Sequence, residues 1–244
     1  MNEVFDVLGD VYNKYWRQIT LFQYPNIEEL ALSKLPGNAR ILDVCCGTGT
    51  IAAKLCEQGF TVEGIDISSK VIEYARINAP EATFTVGDAR SFHYESPFDA
   101  AITTLDSFNV MTDPKDLKNI FIHVYQALKP GGIFYFDMRN EEGYLRYWNG
   151  SQLSFIEAEG VAAFHSVYDE GSRLGLMKAA YFTRNAEQAW DRKDLYIPHK
   201  CYQEEEVAAL LEEAGFVHVQ TVRRSEGVYS EVSGRSHYTS MKAG

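Results

Sequence analysis

The chain has 244 residues, 45% hydrophobic and 13% aromatic, which is enough to bury the core of one domain with room for an insertion. Its formal net charge is −11 and it has no dense Lys or Arg cluster, which excludes a nucleic-acid backbone as the expected partner and favours a small molecule. No apolar run approaches the ~18 residues of a membrane span, and the opening MNEVFDVLGDVYNKYW lacks the basic start and apolar core of a leader; a cytoplasmic protein that does not enter a membrane is expected.

The cysteines, Cys45, Cys46, Cys56 and Cys201, include no pair at zinc-knuckle spacing, so no metal site and only reduced thiols are expected.

Helical spacing in NIEELALSKL (26–35) gives way at Pro36-Gly37 to the short apolar strand ARILDV. The alternation continues with the helix TIAAKLCEQG, the strand FTVEGID, a helix with a Ser start and Pro stop in SSKVIEYARINAP, and the strands ATFTVGD and FDAAITT. A helix over DPKDLKNIFIHVYQAL and the strand GIFYFDM follow. Strands alternating with helices of this length predict an α/β fold with a doubly wound, largely parallel sheet. From about residue 145 the rhythm changes to alternating aromatic and β-branched segments broken by turn residues, predicting an antiparallel β insertion over 145–200. The α/β rhythm then returns with the helix QEEEVAALLEEAGF, the strand VHVQTVRR and the alternation SHYTSMKAG, expected as a closing hairpin at the sheet edge. The organisation predicted is a principal domain of residues 1–144 and 201–244, interrupted by the insertion.

The segment ILDVCCGTGT (41–50) places Gly47 and Gly49 at a strand-to-helix turn, where backbone N–H groups at the helix start face a ligand. Asp66 closes the next strand at the spacing from which a carboxylate receives both ribose hydroxyls, so a nucleoside is implied. GTGTIA followed by that acid suits a nicotinamide dinucleotide equally well. Asp43 separates the two: a carboxylate before the glycines opposes a pyrophosphate but suits a loop facing a cationic amino-acid moiety. At the end of the third strand Asp88 is placed to accept from an adenine amino group, with the Ala89 amide beside it.

With these residues the chain resembles the class I S-adenosylmethionine-dependent methyltransferases. The matching segments are ILDVCCGTGT, VEGIDIS, TVGDARSF, FDAAITTLDSFNVM and ALKPGGIFYFDM, in the family's order. The resemblance implies a seven-stranded Rossmann-like sheet with a reversed edge strand and S-adenosyl-L-methionine as cofactor. The implied cofactor contacts are Asp43, Cys45, Gly47, Gly49, Asp66, Ile67, Asp88, Ala89 and Leu105; Cys45 replaces the usual first glycine. In DVYNKYWRQ, Tyr12, Tyr15 and Trp16 are read as a lid and Arg17 as a partner for the cofactor carboxylate, or the segment as an amphipathic helix packing its rings on the domain. The insertion loosely resembles that of amino-sugar N-methyltransferases and is read as acceptor-binding, with Phe155, Phe164, Tyr168 and Tyr181 as wall candidates.

Methyl transfer is an in-line displacement with a neutral leaving group, for which positioning and exclusion of water suffice and a base is optional. The expected function is methylation of a nitrogen or oxygen of a small molecule by a monomer or homodimer. The alternatives are a nicotinamide-dependent oxidoreductase and a non-catalytic S-adenosylmethionine-binding module. Asp106, Asp137 and His199 are the catalytic candidates, with Asn109 and His165 as further strand-end and insertion positions. The plainer readings are a helix-capping Asp106 and a packed His199.

Overall fold

The computed structural model describes residues 2–224 and 233–244. The N-terminal segment is helical in pieces: α1 (Asn2–Val11), a π-helical stretch (Tyr12–Trp16), α2 (Arg17–Leu21) and α3 (Tyr24–Leu30). The alternating part follows as β1 (Arg40–Val44), α4 (Thr50–Glu57), β2 (Thr61–Asp66), α5 (Ser69–Asn78), β3 (Thr83–Val86), β4 (Phe98–Thr103), α6 (Pro114–Ala127) and β5 (Leu128–Arg139). The helix starts follow local chemistry. The Ser68 hydroxyl accepts from the Val71 amide at the head of α5, and the Asp113 carboxylate accepts from the Lys115 amide before Pro114 at the head of α6.

Among the described residues the main sheet has the strand order β3-β2-β1-β4-β5-β11-β10, completed by β10 (Phe216–Arg224) and β11 (Arg235–Lys242) after the helix α7 (Glu204–Glu213). β1 lies between β2 and β4, both parallel to it, so the order reverses there and a crevice opens beyond the carboxyl ends of these strands. The closing pair is the expected antiparallel hairpin at the sheet edge. β10 alone forms the edge, while β11 is inserted antiparallel between β10 and β5, with Arg235 to Ser240 buried.

Successive residues of β5 serve opposite faces, as a pleated strand requires. Phe134 and Phe136 pack with Phe108, Phe121 and Leu211 on one side; Ile133 and Tyr135 pack with Ile41, Ile102 and Ile51 on the other. The sheet is thus covered on both faces.

The insertion is a separate antiparallel four-stranded sheet: β6 (Gln152–Ile156), β7 (Gly160–Asp169), β8 (Leu174–Arg184) and β9 (Trp190–Lys200), reached through a π-helical turn at Gly143–Trp148. Its inner face carries Ala162, Phe164, Ala179, Leu195 and Ile197 onto Leu8 and Val11 of α1. The N-terminal helix is therefore the packing layer that ties the insertion over the carboxyl end of the main sheet. No helix of the described residues is long and apolar enough to cross a membrane.

Candidate active site

The β1–α4 turn is built from left-handed backbone. Cys45, Gly47 and Gly49 have φ of 58°, 52° and 75°. At Gly49 a Cβ would also lie 3.0 Å from the Ala75 backbone of α5, whereas at Gly47 it would meet nothing within 4 Å. Gly49 is thus required by helix packing, and Gly47 keeps the floor of a cavity open. Gly49→Ala is expected to cost about 2 kcal/mol through backbone strain and crowding, lowering Tm by roughly 4–8 °C in a chain of this size, as read by thermal denaturation. Cys45 takes the strained position with a side chain, so the cavity wall is formed there by a thiol.

Asp66 at the end of β2 accepts from the Gly47 and Ser68 amides, each at 3.0 Å. Burial raises its pKa against those backbone bonds. A carboxylate has about four acceptor sites, so acceptor capacity remains on Asp66, which lines the cavity. Asp88 and Ala89 line it as well. The Asp88 carboxylate is engaged on both oxygens by Arg90, which also reaches Asp116 at 3.0 Å; the Arg90 hydrogen bonds hold the Asp88 carboxyl below the usual range. Asp43, by contrast, sits behind the turn rather than on the cavity wall. It is 2% exposed with Oδ2 unpartnered, and burial beside Asp66 pushes its carboxyl up to about 8. The structure thus places Asp43 beneath the loop.

The π-helical stretch divides its aromatics. Tyr12 and Trp16 stack at 5.2 Å and line the cavity together with Arg17, which has no ion-pair partner among the described residues. Tyr15 emerges on the other side, stacks on Phe155 at 3.9 Å and donates to Glu157. Tyr15, expected at the cofactor, is placed by the structure away from the cavity wall, where it fastens the N-terminal segment to the insertion. The segment thus presents Tyr12 and Trp16 to the cavity and packs Tyr15 on the insertion.

The far end of the same cavity is a buried charge cluster. Leu105 and Asp106, just beyond β4, are consecutive non-glycine residues at φ of 56° and 50°. Their amides donate to Asp137 at 2.9 and 3.3 Å, and this backbone strain, about 1–2 kcal/mol per residue, is held by that carboxylate. Arg235 of β11, 1% exposed, donates to Asp137 through Nη1 and to Asp106 through Nη2 at 2.9 Å, while Arg139 Nε reaches Asp106 at 3.3 Å. Burial opposes the Asp106 charge, but these two guanidiniums hold its pKa below the ordinary value. Asp106 occupies the N-cap position of the short helix Ser107–Val110 without a side-chain cap bond, so its carboxylate serves the cavity and the arginines rather than the cap.

Asp137 is 0% exposed and lies off the cavity wall, where it holds the amides of the Leu105–Asp106 turn. Asn109 is likewise structural. Its amide bridges the carbonyls of Arg139 and Lys200 and accepts from the Arg139 amide.

From the insertion side, His199 on β9 lines the cavity, 5% exposed, with Nδ1 3.3 Å from the Tyr144 hydroxyl and its ring 5.0 Å from Trp148. Burial lowers its pKa to about 4. His165 faces the other side of its sheet and does not reach this cavity. Of the four wall candidates only Phe164 lines it; Phe155 is covered by Tyr15, Tyr168 stacks on Tyr144 at 4.8 Å, and Tyr181 packs toward α1. The wall is made instead by Trp148, Ser166, Met177 and Ile197, and by the aliphatic and charged parts of Arg139 and Arg235. Among the described residues no group of three or more His, Cys, Asp or Glu side chains is placed to hold a metal ion.

Comparison with known proteins agrees with this geometry. The methyltransferase domain family matches residues 41–132, the span from β1 to the start of β5. The chain is 29% identical over 188 residues to the putative methyltransferase YqeM of Bacillus subtilis, covering 75% of this chain and 76% of that one. It is 29% identical over 108 residues to the dTDP-3-amino-3,4,6-trideoxy-alpha-D-glucopyranose N,N-dimethyltransferase of Streptomyces venezuelae, covering 44% and 46% of the two chains. In fold it is similar to an S-adenosylmethionine-dependent methyltransferase from Clostridium acetobutylicum, with a TM-score of 0.75, 21% identity and coverage of 96% and 97%. The turn after β1, the acid closing β2, the strand order with its single reversed strand and these likenesses converge: residues 41–132 carry a methyltransferase domain, and the chain is similar to S-adenosylmethionine-dependent methyltransferases.

Proposed function

We propose that this enzyme methylates a nitrogen or oxygen of a small, partly polar molecule, chiefly by holding acceptor and cofactor in line and away from water. The observation that carries this reading is one continuous cavity, lined at one end by Gly47, Asp66 and Ala89 and at the other by Trp148, Ser166 and His199. The first end fits S-adenosyl-L-methionine: the space above Gly47 is open, Asp66 has acceptor capacity for ribose hydroxyls, and Arg17 has no ion-pair partner among the described residues. In this placement Ile67 and Ala89 flank the base, Asp88 and its amide neighbours edge it, and Leu105 with Tyr12 closes the side toward the acceptor. The cofactor supplies a methyl carbon on a cationic sulfur that leaves as a neutral thioether. The chain's own contribution is alignment by the strained Leu105–Asp106 turn and exclusion of water by Tyr12, Trp16 and Phe164.

Residues 145–200 then form the acceptor half, in keeping with the relatives that act on amino sugars. A metabolite panel of amines and alcohols assayed for transfer of a labelled methyl group tests the reading; absence of S-adenosylhomocysteine binding by calorimetry would defeat it. Met177→Trp, which fills the acceptor end, is expected to abolish transfer while changing S-adenosylhomocysteine affinity by less than about threefold, under ~0.7 kcal/mol. A comparable loss of both would place Met177 at the cofactor instead.

A further inference from the structure

Within the proposed methyl-transfer site, we propose that His199 reads the acceptor as a hydrogen-bond donor through Nε2–H, with Tyr144 setting its tautomer, so that the enzyme takes an uncharged acceptor bearing a lone-pair oxygen.

The hydroxyl of Tyr144 is fully buried, and its one hydrogen-bond partner among the described residues is His199 Nδ1. A tyrosine hydroxyl has one hydrogen to donate. If Nδ1 carried the imidazole proton, that hydroxyl hydrogen would be buried without an acceptor, at a cost that disfavours the arrangement. Tyr144 therefore donates, Nδ1 accepts, and the neutral ring carries its hydrogen on Nε2. Nε2 has no hydrogen-bond partner among the described residues, although the ring lines the cavity. Its direction is held by Trp148, whose own seat depends on Gly175: a Cβ there would lie 2.7 Å from the indole and 3.3 Å from His199 Cβ.

The surrounding charges decide what this donor meets. Arg139 and Arg235 are matched by Asp106 and Asp137, each Asp106 oxygen engaged by one guanidinium. Among the described residues these four charges sum to zero, so a carboxylate or an ammonium on the acceptor would be desolvated beside them without a net counter-charge from the described residues. Burial together with the nearby guanidiniums keeps His199 itself uncharged near neutral pH. The neutral partner that satisfies Nε2–H is a carbonyl, ether or hydroxyl oxygen beside the atom that receives the methyl group. His199 is then a specificity-determining residue and not the base of the reaction, because Nδ1 is occupied and Nε2 is protonated.

The tautomer is read directly from the imidazole nitrogen resonances of 15N-histidine-labelled protein saturated with S-adenosylhomocysteine at neutral pH, with His199→Gln to assign the signals. The expected result is an Nε2–H tautomer with a hydrogen-bonded Nδ1, and in Tyr144→Phe a shift of Nδ1 to the position of an unbonded nitrogen. Cyclohexanone, which offers only an acceptor oxygen, is expected to shift the Nε2 signal, whereas cyclohexylammonium of similar shape leaves it in place. An Nδ1–H tautomer, an imidazolium, or no response to the ketone would overturn the proposal, as would a larger response to the ammonium. An unchanged Nδ1 in folded Tyr144→Phe would remove Tyr144 from it. Calorimetry on the same sample keeps the two readings apart: failure to bind S-adenosylhomocysteine counts against the methyltransferase site, not against the tautomer.

Discussion

Arg235→Met is expected to be among the most destabilising single substitutions in this protein. The guanidinium joins Asp106 to Asp137 at the centre of the molecule, and Asp137 is 0% exposed. Removing one member of a buried pair leaves the other charge without compensation, which costs about 3–5 kcal/mol. For a chain of this length each kcal/mol lowers Tm by roughly 2–4 °C, so a fall of about 6–20 °C is expected by calorimetry or circular dichroism. Arg139 still faces Asp106 in this variant, so the loss is concentrated on Asp137. Adding Asp137→Asn removes the stranded charge while keeping a side-chain oxygen for the Leu105 amide, and should recover a large part of the stability. A double variant no more stable than Arg235→Met would mean that lost packing, not the uncompensated charge, dominates.

The second large effect concerns Asp66→Ala. Under the proposed placement its remaining acceptor capacity receives the ribose hydroxyls, while its oxygens also hold the Gly47 and Ser68 amides. A hydrogen bond to a charged group contributes about 1.5–3 kcal/mol, so S-adenosylhomocysteine affinity should fall by roughly one to two orders of magnitude. Asp66→Asn separates the two roles. Its one carbonyl oxygen can keep an amide of the turn but lacks the charge, so affinity should fall while Tm falls less than in Asp66→Ala. Unchanged affinity in a folded Asp66→Ala protein would place the ribose elsewhere in the cavity.

The acids and arginines around Asp137 also explain why some candidates moved between sequence and structure. Asp106 and Asp137 look equivalent as strand-end carboxylates, yet one reaches the cavity and the other is sealed beneath it. The difference is made by Arg235, 98 residues from Asp137 in sequence, which arrives only because β11 pairs antiparallel with β5 and sets Arg235 opposite Arg139. An arginine in an alternating strand near the C-terminus gives no local sign of such burial. Asp88 carried a weak sign, the arginine two residues later, which chelates it in the structure.

What the sequence determined by itself is whatever local stereochemistry dictates: the alternation of strands and helices, the caps at Ser68 and Asp113, the left-handed turn at Gly47 and Gly49, and Asp66 at the end of its strand. These depend on side-chain periodicity, on capping bonds over two or three residues and on the φ values glycine tolerates, all encoded within a few residues. The tertiary structure alone decided that Tyr15 turns outward onto Phe155 and that β11 lies inside the sheet. It also decided that Trp148 and His199 meet against Gly175, and that Asp106, Asp137, Arg139 and Arg235 from three strand ends form one ion-paired cluster. Each of these depends on strand register and on the docking of the insertion over α1, where a one-residue shift would send every side chain to the opposite face.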